Sequence, residues 1–254
     1  MRKYVGLMVL GTDNIQRIRH LFPYYHAIRN NPHIYHVLDV GCGEGYGASL
    51  MARHFKRVTG ADIDLDIIKY ARDKYFNQSY RLAFLPLRTC QKHKYDMITC
   101  HQVIEHVDDP VSFLKMLKNM LKKNGKLQIT TPNRITRIGS KGKPFNRDHV
   151  DEYSKKNLEI FYKKAGFEEV NIYGIYATDE IHEIENNRIR QSLPVKLAIM
   201  LNLHKLAPDW LHSTVSNMRH SAKRIIHKAE LKDFKKSTVT AGSLDLMAIS
   251  YNNL

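Results

Sequence analysis

Cysteine is scarce in this chain. Cys42, Cys90 and Cys100 are the only three, and no two stand in C-x-x-C spacing. That excludes a disulfide framework and a thiolate zinc site, and it points to a reducing, cytoplasmic setting. Long apolar runs are also missing: none reaches the roughly 20 residues needed to span a bilayer. The opening Met1 to Gly11 is apolar but short. It runs into Thr12-Asp13-Asn14 with no small-x-small cleavage site, so no leader is expected. Acidic residues are in deficit, 25 Asp+Glu against 40 Lys+Arg, which gives a formal charge of +15. Such an excess suits nucleic acid, an anionic membrane surface or a phosphorylated substrate, and it equally suits a surface that is merely solvated by lysine. Repeats and low-complexity tracts are absent. What remains is an ordinary 43% hydrophobic fraction in 254 residues, enough to bury one full core.

One stretch organises the rest. The β-branched run His36 to Val40 stops at Gly41-Cys42-Gly43-Glu44-Gly45, and a helical pattern begins at Ala48. Strand, glycine turn and helix form the first unit of a nucleotide-binding α/β sheet. Glycines at 41, 43 and 45 let the backbone take positive φ and let a cofactor lie on the main chain. A second β-rich piece, Arg57 to Asp62, ends in a carboxylate able to accept from both hydroxyls of a ribose. Asp39 stands before the first glycine, where a dinucleotide site has an apolar residue. An acid there suits a cofactor with a cationic amino-acid tail and no pyrophosphate.

Along the chain, residues 12–34 carry helical spacing and an aromatic cluster, Tyr24-Tyr25-His26. A helix follows Asp62, with acids in its first turn. Strands are expected at Tyr80–Leu85, Tyr95–Cys100, Lys126–Thr131 and Phe167–Tyr176. The helix Val111–Leu121 places Phe113, Leu114, Leu117, Met120 and Leu121 on one face, and Gly125 supplies its stop. Residues 134–148 read as a basic loop, and Ser154 caps a helix that Gly166 ends. From 179 to 236 the pattern is helical and basic, and Leu244–Ser250 restores a last strand. The expected fold is α/β: a doubly wound, mostly parallel, seven-stranded Rossmann-like sheet with a helical insertion before the last strand. It makes one domain over 1–254, with a leading helix at 12–34, a core at 36–176, a helical cap at 179–236 and the final strand at 240–251.

The glycine stretch resembles motif I of class I S-adenosylmethionine-dependent methyltransferases. Further segments are similar to the type 11, ubiquinone-pathway-like group and occur in its order. They are Glu105-His106-Val107-Asp108-Asp109-Pro110, Leu121 to Gly125, Thr131-Pro132-Asn133-Arg134 and His149-Val150-Asp151-Glu152-Tyr153. The resemblance implies S-adenosyl-L-methionine as cofactor, with Asp39, Gly41, Gly43 and Gly45 at its methionine end and Asp62 at its ribose. Phe84-Leu85-Pro86-Leu87 stands where the family places an acid for the adenine. An activated methyl donor leaves the enzyme mainly to align the acceptor. A hydroxyl acceptor also needs a base, for which His106 and His149 are the candidates. Related enzymes hold a divalent ion with Glu-x-x-Glu-His and a later histidine. Here Gln102 takes the first position while Glu105, His106 and His149 are retained. The lost carboxylate weakens a hard cation, so no metal is expected.

The expected activity is methyl transfer to an oxygen, less readily a nitrogen, of a small-molecule or glycan/lipid-linked acceptor. An RNA methyltransferase is the alternative, supported by charge and opposed by the lack of an RNA-binding module. A non-catalytic module that keeps the cofactor is the second. The basic loop (Arg134, Arg137, Lys141, Lys143, Arg147) borders the pocket and could meet a phosphate. The 179–236 segment could touch an anionic membrane peripherally.

Overall fold

The computed structural model describes residues 14–77, 81–138, 144, 148–185 and 229–253. The elements are α1 (Asn14–Asn30), β1 (His36–Val40), α2 (Tyr46–Met51), β2 (Arg57–Asp62), α3 (Leu65–Tyr75), β3 (Leu82–Pro86), β4 (Tyr95–His101), α4 (Pro110–Met120), β5 (Leu121–Pro132), α5 (Arg134–Arg137), α6 (Lys155–Lys164), β6 (Val170–Ala177), β7 (Phe234–Ser237) and β8 (Asp245–Tyr251). The strands form one sheet in the order β3-β2-β1-β4-β5-β8-β6-β7. Strands β1 to β5 pair in parallel, and β8 runs antiparallel to both β5 and β6.

A parallel sheet must bury both faces, because its crossover helices cover them. All five residues of β1 are accordingly buried. Val37 joins Met51, Phe55 and Val58 on the face covered by α1, α2 and α3, whereas its neighbour Leu38 joins Leu114, Leu117 and Leu158 under α4 and α6. The apolar face read on α4 is buried throughout. Each fully buried leucine there contributes about 1.5–3 kcal/mol of transfer free energy.

Local signals set the helix ends. Asp64 caps α3, accepting from the amides of Asp66 and Ile67. Asp109 caps α4 with Pro110 in its first turn, where the missing N–H costs nothing. Ser154 and Asn157 form a reciprocal capping box on α6, and Gly166 at φ 84° ends it.

Three expectations are corrected. The sheet has eight strands, because Phe234–Ser237 pairs antiparallel with β6 inside the interval read as a helical cap. Lys235 and Lys236 hide this short strand from an apolar pattern, and charge of that kind is how an edge strand avoids further pairing. Residues 186–228 of that interval lie outside the described residues. The stop after α4 is also not glycine's. The chain becomes extended at Leu121, and Asn124 takes the positive φ of 59°. Finally, the basic loop begins with a helical turn, α5, capped by Asn133. Among the described residues no helix is long and apolar enough to cross a membrane.

Candidate active site

β1 connects outward to β2 and β3, and the chain then returns to lay β4 on β1's other side. The strand order reverses there, and a crevice opens beyond the carboxyl ends of the strands. A cavity occupies that crevice. Gly41, Gly43, Asp62, Ile63 and Leu87 line it, together with His20, Tyr24, His101, Gln102 and His106.

The three glycines of the turn all have positive φ, at 71°, 50° and 85° for Gly41, Gly43 and Gly45. Their surroundings differ. A Cβ on Gly41 would lie 2.3 Å from Val103, and one on Gly45 2.5 Å from Phe84, whereas one on Gly43 would meet nothing within 4 Å. Gly43 therefore faces open space, and Gly45 serves packing and does not line the cavity.

Asp62 ends β2 at the cavity wall. One carboxylate oxygen accepts from the Gly43 amide at 3.1 Å and the other from the Asp64 amide at 3.1 Å. Burial raises its pKa, and these amides oppose the rise.

Asp39 is placed differently from its expected contact with cofactor. It is fully buried in β1 and does not line the cavity. Thr99, its register partner on β4, donates a hydroxyl at 2.8 Å, and Tyr24 of α1 donates another at 3.3 Å. Burial without a cation pushes its pKa up to about 7. Tyr24 thus stands between this carboxylate and the cavity.

The Phe84–Leu87 stretch, which holds no acid, contributes Leu87 to the lining. Leu87, Ile63, Ile67 and Val107 make this part of the wall apolar.

The second histidine group assembles beyond β4. His106 closes a short 3-10 turn and lines the cavity; burial lowers its pKa. Its Nδ1 lies 2.8 Å from the Asp148 carbonyl. His149 packs edge-on against it with ring centroids 4.8 Å apart, but does not line the cavity. Glu152 holds His149 Nδ1 at 2.9 Å. Glu105 is fully buried, takes the Thr131 hydroxyl at 2.9 Å, and is pushed up to about 7 by burial. Glu105, His106 and His149 each bring one ligand atom within 4.8 Å of the others, so the three groups fit a cation despite the expectation of none. Gln102 does not join them. Its amide nitrogen faces Asp245 at 3.4 Å and Thr130 at 3.5 Å.

The arginines of the basic loop that are described turn inward. Arg134 pairs with Asp151, and Arg137 lies 3.4 Å from Glu152, so neither is offered to a phosphate. Lys141, Lys143 and Arg147 lie outside the described residues.

Sequence reasoning missed His20, Tyr24, His101 and Glu152. His20 and Tyr24 are four apart on α1 and so share one face; that spacing was a usable signal. Burial pushes His20 down to about 4 and His101 to about 3, which keeps both neutral near pH 7.

Residues 11–172 match the protein family described as "Methyltransferase domain". Over 152 residues the chain is 34% identical to a "Probable S-adenosylmethionine-dependent methyltransferase" of Mycolicibacterium smegmatis, covering 59% of this chain and 58% of that protein. It is 37% identical over 103 residues to a ubiquinone biosynthesis O-methyltransferase of Coxiella burnetii, covering 39% of this chain and 44% of that one. The matched region thus spans little more than half the length of the first relative and less than half of the second. The crystal structure of a SAM dependent methyltransferase from Archaeoglobus fulgidus superposes with a TM-score of 0.54 at 18% identity, covering 93% of this chain and 92% of that one, a likeness of fold. With the family match extending over more than half of its length, the chain belongs to the methyltransferase-domain family.

Proposed function

We propose that this protein moves a methyl group from S-adenosyl-L-methionine to an oxygen, less readily a nitrogen, of a small-molecule or glycan/lipid-linked acceptor in the cytoplasm. The observation that carries the reading is Asp62: a carboxylate pinned by the Gly43 amide, beside the open side of the glycine turn, at the end of the strand next to the point where strand order reverses.

In this reading Asp62 receives the ribose hydroxyls, the backbone at Gly41 and Gly43 cradles the methionine end, and the apolar wall at Ile63 and Leu87 covers the adenine. Asp39 serves the same end indirectly, by holding the Tyr24 hydroxyl. When bound, the cofactor would supply an activated methyl carbon for in-line transfer to the acceptor oxygen, with S-adenosylhomocysteine as the other product. His106 takes the acceptor's hydroxyl proton. It is neutral near pH 7, as a base must be, because burial disfavours its charged form. His149, off the cavity but packed on His106, is the positioning partner, itself oriented by Glu152. Excluding water and aligning the two reactants supplies most of the acceleration.

The test is transfer of labelled methyl from S-adenosyl-L-methionine into a fractionated cell extract, with Asp62→Ala as the blank. Label in glycan, lipid or small-molecule fractions supports the proposal. Label confined to RNA selects an RNA methyltransferase. Cofactor binding without label above the blank selects a non-catalytic module.

A further inference from the structure

A chain of hydrogen bonds behind the cavity has a direction. Burial raises the pKa of Asp245, but Arg19, with Nε 2.6 Å away, outweighs burial and keeps the carboxylate ionised. An ionised carboxylate only accepts, so it is the amide nitrogen of Gln102 that faces it, at 3.4 Å. The same nitrogen gives its second proton to the Thr130 hydroxyl oxygen at 3.5 Å. Thr130 is buried and must place its own proton, for which His101 Nδ1 stands 3.3 Å away. A neutral ring that accepts at Nδ1 carries its proton on Nε2. His101 lines the cavity, yet its buried Nε2 has no hydrogen-bond partner among the described residues. Tyr24 packs edge-on to the ring, with centroids 4.7 Å apart. A buried donor without an acceptor is costly, and a ligand oxygen beside it removes the cost.

We infer that His101 selects the methyl acceptor: its Nε2–H donates to a lone pair of the acceptor's oxygen, so that hydroxyl acceptors are taken and amines refused. The inference rests on the methyl-transfer reading and deepens it at the acceptor end. A hydroxyl oxygen has two lone pairs, and one can meet Nε2–H while the other faces the methyl carbon. A neutral amine has a single lone pair, which attack on that carbon requires, and an ammonium group has none. His101 does not compete with His106 for the acceptor's proton. Burial pushes its pKa down to about 3, which makes it a poor base and keeps it a neutral donor.

The test takes as acceptor the fraction of cell extract that receives labelled methyl from S-adenosyl-L-methionine, and compares the full chain with His101→Phe, His101→Gln and Thr130→Val. Phenylalanine keeps a ring without the N–H, and glutamine can carry an amide N–H to the Nε2 position. His101→Phe should raise the apparent KM for that fraction about tenfold, with S-adenosylhomocysteine affinity changed by less than about twofold. His101→Gln should stay within about threefold of the unsubstituted protein. The label should leave the product as methyl iodide in hot hydriodic acid, as an O-methyl group does. Ring-nitrogen NMR of isotope-labelled protein, with His101 identified by the signals missing in His101→Gln, should show a neutral ring protonated on Nε2. In Thr130→Val that proton should be free to move to Nδ1, and KM should rise. The inference is overturned by a proton on Nδ1 in the unsubstituted protein, by an N-methyl product that resists the acid, or by an unchanged KM in His101→Phe. Equal losses in His101→Phe and His101→Gln would also overturn it, since the shape of the ring would then be what matters. Should His101→Phe not fold, a proton moved to Nδ1 in Thr130→Val with KM unchanged overturns it instead. Absence of label from the unsubstituted protein would remove the methyl-transfer reading and this inference with it, whereas label that His101→Phe leaves untouched removes this inference alone.

Discussion

Gly47 lacks a side chain because Tyr24 occupies its place: a Cβ at 47 would lie 2.1 Å from Tyr24 Cζ. The glycine after the turn thus belongs to helix packing, not to the cofactor. Gly47→Ala should push the Tyr24 ring off Asp39 and destabilise the fold by about 1–3 kcal/mol. Urea unfolding reads the stability, and S-adenosylhomocysteine affinity should fall with it. Unchanged stability would mean that α1 yields freely here.

Asp62→Asn keeps size and one acceptor oxygen but loses the charge that fixes two backbone amides and, in the proposed function, receives the ribose hydroxyls. Affinity for S-adenosylhomocysteine should drop at least about tenfold, or about 1.4 kcal/mol. Isothermal titration is the measurement, and a drop confined to a factor of two would remove Asp62 from the ribose.

Asp39 makes stability depend on pH with a definite sign. Its folded pKa is raised from 3.8 to about 7, so the folded state holds a proton the unfolded state has released. The stability it adds is full below pH 4 and is lost as pH rises through 7. Glu105, raised to about 7, acts the same way. His20 and His101 act oppositely, losing their contribution as pH falls below 6.5. Asp39→Asn, which mimics the protonated acid, should therefore gain on the unsubstituted protein as pH rises from 5 to 8. Urea unfolding at those two pH values reads it; a difference that stays flat would show that Asp39 remains charged throughout.

Arg19 is buried between Asp245, 2.6 Å from its Nε, and Glu185, 3.0 Å from Nη1. Arg19→Met leaves two buried carboxylates without their cation and should cost about 3–5 kcal/mol. Adding Asp245→Asn and Glu185→Gln to Arg19→Met should restore much of the loss. Denaturant midpoints distinguish a charge effect, which the added changes rescue, from a packing effect, which they do not.

Much of the scaffold was legible because strong local chemistry wrote it: the β-branched run of β1, the acids opening α3, the cap at Ser154 and the apolar face of α4. Asp62 was legible for the same reason, as a carboxylate ending a strand beside a glycine turn. Asp39 shows the limit. Its spacing placed it at the motif, but only α1 folding back across β1 reveals that Tyr24 and Thr99 take both its oxygens. Glu105 and His149 are likewise joined by tertiary folding, since the segment before α6 returns to the turn after β4 through bonds from Val150 and Asp151 to the Glu105 carbonyl. The strand β7 stayed hidden because edge strands advertise charge where inner strands advertise apolar runs.

The position of β8 carries a consequence for how the protein comes to be made. This strand lies between β5 and β6, so β6 and β7 reach the parallel half of the sheet only through residues 245–251. While the chain is still emerging from the ribosome, β1 to β5 can assemble, but the antiparallel pair of β6 and β7 lacks the strand that ties it to them. Ile172, Ile175 and Phe234 gain the cover that β8 supplies only once synthesis has passed Tyr251.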